Sequence, residues 1–90
     1  MTERVALIAG GARGIGRAIG LALAGDGWSI AICYRTSEAD AQETIRSVQD
    51  KGVRGLAVRA DVSDSQAAEG LVRQVESEWG RIDALFNCAG

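Results

Sequence analysis

Val5-Ala6-Leu7-Ile8-Ala9-Gly10-Gly11-Ala12-Arg13-Gly14-Ile15-Gly16 is the stretch on which the reading of this chain turns. Its first five residues are all apolar, which suits a strand covered on both faces. Its second half carries glycines spaced Gly10-x-x-x-Gly14-x-Gly16. Directly beyond, Ile15, Ala18, Ile19, Ala22 and Leu23 recur at three- and four-residue steps and predict one apolar helix face, with Gly25 and Gly27 placed to end the helix. Glycine at a strand-to-helix junction has three physical uses: a tight turn, close approach of backbone to a phosphate, and close packing of helix on sheet. The free N–H groups and the positive dipole end of the helix then face an anion.

Outward from this stretch the same alternation repeats. Ile30 to Tyr34 reads as a second buried strand. Ser37 is placed to cap a helix whose inward face carries Ala41, Ile45 and Val48 and which Gly52 stops. Leu56 to Val58 reads as a third, shorter strand. Ser63 followed by Gln66 is a capping-box pair; it predicts a helix with Ala68, Leu71, Val72, Val75 and Trp79 on its apolar face, closed by Gly80. Ala84-Leu85-Phe86 is a fourth strand running into Asn87-Cys88-Ala89-Gly90. Strands joined through helices run parallel with right-handed crossovers. The expected fold is therefore α/β, a Rossmann-type doubly wound parallel sheet with its first four strands in the order 3-2-1-4. Ligands of such sheets bind at the carboxyl ends of the strands, where the order reverses.

Ninety residues allow one small domain. The 10 basic and 12 acidic residues are interspersed, giving a net charge of −2 and no basic stripe for nucleic acid. The apolar run Val5–Ala9 is too short for a signal peptide or a membrane span, so the reading is of a cytoplasmic protein without membrane contact. Cys33 and Cys88 lie far apart in a chain without histidine, which excludes a clustered zinc site. Both fall in apolar runs and read as small hydrophobes, a redox role being the lesser alternative.

Spacing separates the nucleotide loops. A Walker loop requires lysine and then serine or threonine after its last glycine, but Arg17 and Ala18 follow Gly16. The G-x-G-x-x-G fingerprint also fails, because Ile19 stands at the third glycine position counted from Gly14. Gly10-x-x-x-Gly14-x-Gly16 resembles the short-chain dehydrogenase/reductase family, whose pattern is T-G-x-x-x-G-I-G after the first strand, D-V after the third and N-N-A-G after the fourth. Here the matches are Ala9-Gly10 through Gly14-Ile15-Gly16, Asp61-Val62, and Asn87-Cys88-Ala89-Gly90, so the likeness spans the chain. It is closest to the bacterial 3-oxoacyl-carrier-protein reductase branch. Two residues depart from the pattern: Ala9 removes a threonine hydroxyl that normally ties the glycine loop to neighbouring backbone, and Cys88 replaces the second asparagine.

The resemblance implies an NADP(H)-dependent oxidoreductase acting on a carbonyl or alcohol, with an acyl-carrier thioester among the candidate substrates. Gly10, Gly11, Ala12, Arg13, Gly14, Ile15 and Gly16 would receive the diphosphate. An acid at the end of the second strand would favour NAD(H) over NADP(H). That position is Tyr34, followed by Arg35 and Thr36, and an arginine fork suits a ribose phosphate, with Arg13 closing from the other side. The plain alternative is that both arginines are solvated surface charges. By the same resemblance Asp61 accepts from the adenine amino group and Val62 packs on the ring. Asn87 holds the fourth strand beside the adenosine, and Ala89 and Gly90 lie along the nicotinamide ribose.

Family members work with a serine and a Tyr-x-x-x-Lys pair. Tyr34 is the only tyrosine and has Glu38 four residues on, while Lys51 is the only lysine, so no catalytic and no metal-binding residue is assigned here. The fourth strand would form an apolar edge, a hazard if left unpaired. Residues 1–90 are accordingly expected to be the N-terminal part of a single dinucleotide-binding domain, completed by a missing C-terminal segment, and the likeness suggests a homo-oligomer. A non-catalytic NADP(H) sensor and a structural Rossmann fragment are the alternative readings.

Overall fold

The computed structural model describes residues 3–89. Seven elements alternate: β1 (Val5–Ala9), α1 (Gly14–Gly25), β2 (Ser29–Tyr34), α2 (Glu38–Gln49), β3 (Gly55–Arg59), α3 (Ser65–Trp79) and β4 (Ala84–Asn87). The strands form one parallel sheet in the order β3-β2-β1-β4, as the alternation predicted. β1 and β2 are buried along their whole length, which explains their unbroken apolar runs. Ala6, Ile8, Ile30 and Ile32 face α1 and α2, where they meet Ala24, Ala41, Ile45 and Val48. Val5, Leu7, Ala31 and Cys33 face the other way, onto Leu71 and Val75 of α3. Leu7, Ile8, Ile30 and Ile32 are fully buried, each worth about 1.5–3 kcal/mol relative to exposure.

Two expectations are corrected. The buried stripe of α1 is Gly16, Gly20 and Ala24, flanked by the half-buried Ile19, Leu21 and Leu23, whereas Ile15, Ala18 and Ala22 are exposed. The helix lies so close to the sheet that small residues occupy the contact: a Cβ on Gly20 would stand 3.3 Å from Ile8 Cδ1 and 3.4 Å from Ile30 Cγ2. The second correction is the cap of α3, which is Asp64, not Ser63. Asp64 Oδ1 accepts from the backbone N–H groups of Gln66 (2.9 Å) and Ala67 (3.4 Å), and Ser63 turns back to Asp61. A carboxylate one residue nearer the helix satisfies the orphan donors directly. Ser37 stands at the entrance of α2 but makes no side-chain cap bond. The inward residues predicted for α2 and for Leu71 and Val75 of α3 are buried, and α2 buries Thr44 besides.

Charged residues fasten the amino ends of the strands. Asp83 Oδ2 accepts from Val5 N (2.7 Å), Asp83 N donates to Val5 O (2.8 Å), and Arg81 Nε donates to the same carboxylate (2.8 Å). Glu3 accepts from Arg54 Nε (2.9 Å) and from Ser29 Oγ, and the Arg54 guanidinium lies 4.8 Å from the centre of the Trp79 ring. The Arg81 bond, then the Val5 amide, hold Asp83 below its ordinary 3.8; Arg54, then Ser29, hold Glu3 below its ordinary 4.5. Because both values are lower folded than unfolded, their stabilisation is complete above the ordinary values and is lost as pH falls through the folded ones. Urea unfolding midpoints are expected to hold steady between about pH 7 and about pH 5 and to decline below about pH 4, less steeply in Asp83→Asn. An equally steep decline in that variant would show that other groups govern acid unfolding.

Candidate cofactor-binding site

A cavity of about 600 Å³ opens at the carboxyl ends of β1, β2 and β4. The strand register makes it: Ala9 lies between Cys33 and Asn87, so the chain leaves the sheet at one level on three neighbouring strands. Its wall includes Gly10, Ala12, Arg13, Gly14, Ile15, Gly16, Tyr34, Arg35, Thr36, Asp61, Val62, Asn87 and Ala89. All of these were singled out in the sequence. Gly11 is in the same loop but not in this wall, and a Cβ there would come within 2.5 Å of Ile32 Cγ2, so the bare backbone lets the loop pack on β2. Gly90 lies outside the described residues. Ser37, whose hydroxyl follows Thr36 beyond β2, lines the wall as well, and Cys33, Ala60, Ser63 and Cys88 line it without having been assigned to the site. Adjacency to the strand ends was the available signal for Cys33, Ala60 and Cys88, and the Asp-x-Ser turn for Ser63.

The glycine loop is a fitted backbone crossing. Gly10 N donates to Cys33 O (3.1 Å), and Cys88 N donates to Ala9 O (2.8 Å), so the loop begins wedged between β2 and the end of β4. A Cβ on Gly16 would lie 2.3 Å from Gly10 O, and one on Gly10 would lie 2.8 Å from Ala89 N. Any side chain at Gly16 would therefore collide with the backbone of the loop that leads into α1. The entrance of α1 has no side-chain cap and no acid in its first turn. By contrast, α2 has Glu38 and Asp40 in its first turn and α3 is capped by Asp64. The first N–H groups of α1 are left for an anion from outside the helix.

Both candidate phosphate-binding arginines reach the mouth of the cavity. Arg13 Nη1 is 3.9 Å from Asp40 Oδ2, and Arg35 Nη1 is 3.9 Å from Asp61 Oδ2, with both arginine side chains more than two-thirds exposed. Ion pairs this exposed contribute little and yield easily to a stronger anion. Asp61 Oδ1 accepts from Ser63 Oγ (2.6 Å) and Ser63 N (3.0 Å), which leaves Oδ2 as the oxygen toward Arg35. The hydroxyl bond, then the amide bond, hold its carboxyl below the usual range, with Arg35 contributing less. Asn87 Oδ1 accepts from Ala89 N (3.3 Å), shaping the turn beyond β4.

Tyr34 is buried against the α2 side of the sheet, and its hydroxyl donates to Glu38 Oε1 (3.3 Å). Desolvation, then the Glu38 charge and its bond, raise its pKa, the opposite of what an acid–base tyrosine needs. Cys33 is free and buried, and burial pushes its thiol up, which makes it inert; Cys88 is free and half-buried. Among the described residues no group of three or more His, Cys, Asp or Glu side chains could hold a metal ion, and no helix is long and apolar enough to cross a membrane.

This arrangement of glycine loop, strand ends and cavity agrees with sequence comparison, in which the model of the short chain dehydrogenase family matches residues 4–90. The chain belongs to that family. This short-chain dehydrogenase sequence is 38% identical over 85 residues to the 3-oxoacyl-[acyl-carrier-protein] reductase FabG of Staphylococcus aureus, covering 94% of the chain and 35% of that protein. Its fold matches a dehydrogenase of Burkholderia cenocepacia solved with bound NADP, at a TM-score of 0.91 and 35% identity over 96% of this chain and 34% of that one. It matches an NAD+-bound xylitol dehydrogenase at a TM-score of 0.90 and 36% identity, over 97% of this chain and 33% of the other. The chain thus spans about a third of the length of the relatives it matches.

Proposed function

We propose that residues 1–90 are the N-terminal part of a single dinucleotide-binding domain that takes NADP(H) in preference to NAD(H), in a protein that interconverts a carbonyl and an alcohol. The observation that carries this reading is the uncapped, acid-free entrance of α1 opening onto the same cavity as Arg13 and Arg35, with Tyr34 in place of an acid at the end of β2. The backbone N–H groups at Gly14, Ile15 and Gly16 would receive the diphosphate, and the two guanidinium groups would take the additional ribose phosphate. Asp61 and Val62 would border the adenine, Asn87 would hold the end of β4 beside the adenosine, and Ala89 would lie along the nicotinamide ribose. When bound, the dinucleotide supplies the hydride donor or acceptor. This chain's residues bind it, orient it and wall one side from water. Proton transfer is assigned to residues outside this chain, because Tyr34 is tied to Glu38. The likeness to the Staphylococcus aureus reductase makes 3-oxoacyl thioesters the first substrate class to assay, in a homo-oligomeric enzyme.

Fluorescence titration of the intact protein with NADPH and NADH tests the reading. NADPH is expected to bind roughly tenfold or more tightly than NADH, since a phosphate held by two arginines adds charge-assisted bonds that NADH lacks. Equal affinities would overturn the preference, and no saturable binding of either would overturn dinucleotide binding altogether.

A further inference from the structure

We infer that Thr44 is a positioning residue for the dinucleotide loop, holding the Ala12 carbonyl from α2 so that the entrance of α1 keeps its place. The identity of the loop's ligand rests on the function proposed above; the tie itself does not. Thr44 is fully buried, and its Oγ1 donates to Ala12 O at 2.7 Å. The same oxygen accepts from Arg17 Nε at 3.1 Å, and Arg17 Nη2 lies 3.5 Å from Ser47 Oγ. A hydroxyl has one proton to give, and here it goes to the loop, while its lone pair takes the guanidinium of a residue in the first turns of α1. One side chain thus joins the loop, α1 and α2. Ala12 is itself buried and stands next to Arg13, so movement of its peptide would displace both the helix entrance and one phosphate-binding arginine. Ala9 has no hydroxyl with which the loop's own strand could anchor it. The anchor comes from α2 instead, 32 residues further along the chain than Ala12.

Thr44→Val keeps the shape and removes the hydroxyl, and Thr44→Ser restores the hydroxyl. In the intact, cofactor-free protein, Thr44→Val is expected to speed amide hydrogen exchange roughly tenfold at residues 12–17, with β1 and β2 unchanged. It is expected to raise the NADPH dissociation constant and KM roughly tenfold while kcat at saturating cofactor holds, and Thr44→Ser is expected to restore all three. Unchanged exchange at residues 12–17 would overturn the inference. So would a uniform rise through the sheet, or a serine variant that behaves like valine. The exchange measurement needs no cofactor, so a wild-type protein that fails to take NADPH would sink the proposed function and leave Thr44 to be judged on exchange.

Discussion

Gly16→Ala is expected to lose dinucleotide binding and about 3 kcal/mol of stability, at the upper end of what overpacking costs. The added Cβ would stand 2.3 Å from Gly10 O and 3.0 Å from both Gly10 C and Gly11 Cα. All three are backbone atoms, so no side-chain rotation relieves the clash, and the loop or the helix must move. Gly10 cannot retreat, because its own backbone is set against Cys88 and Ala89 at the end of β4. Displacement of the α1 entrance by about 1 Å is enough to cost on the order of a hundredfold in a site that depends on fixed donors. Gly14→Ala is the control. Gly14 has a φ of +63° but open space around its would-be Cβ, so its loss of stability is only the left-handed penalty of about 1–2 kcal/mol. Urea melts and NADPH titrations of both variants side by side measure the contrast. A Gly16→Ala protein that binds like the wild type would mean the loop is not packed as described.

If the proposed preference for NADP(H) holds, Arg35→Asp is expected to weaken NADPH roughly a hundredfold and to leave NADH equal or improved, reversing it. The substitution replaces a donor fork with a carboxylate near Asp61, whose carboxyl is already held ionised by Ser63. A ribose phosphate entering there would meet two negative groups, whereas the bare ribose hydroxyls of NADH could bond to the new carboxylate. Thermal stability is expected to change little, because the Arg35–Asp61 pair is 3.9 Å long and exposed. The NADPH deficit should also shrink as salt is raised, as interaction between exposed charges does. Unchanged NADPH affinity in this variant would remove Arg35 from the site.

What could be read directly from residues is local or periodic. Val5–Ala9 and Ile30–Tyr34 are apolar runs too short for a helix and alternate with segments of helical period, so a parallel sheet covered on both faces followed. The glycine spacing and the Asp61-Val62 and Asn87 motifs fell at strand ends, and the parallel order brought those ends to one cavity. The tertiary structure alone decided the rest. The apolar period of α1 pointed to Ile15, Ala18 and Ala22, but the helix sits close enough to the sheet that Gly16, Gly20 and Ala24 make the contact. Periodicity records where bulk recurs, not how near two backbones come. Thr44 gave no signal, because its partner lies in a loop 32 residues earlier and a buried hydroxyl is recognisable only by the carbonyl it meets. The cap of α3 passed from Ser63 to Asp64 through a turn in which Asp61 claims the serine. Local pattern fixes elements because hydrogen bonding and burial repeat along the chain. Distances between elements are set by what packs in the gap, and those distances decide which side chain serves the site.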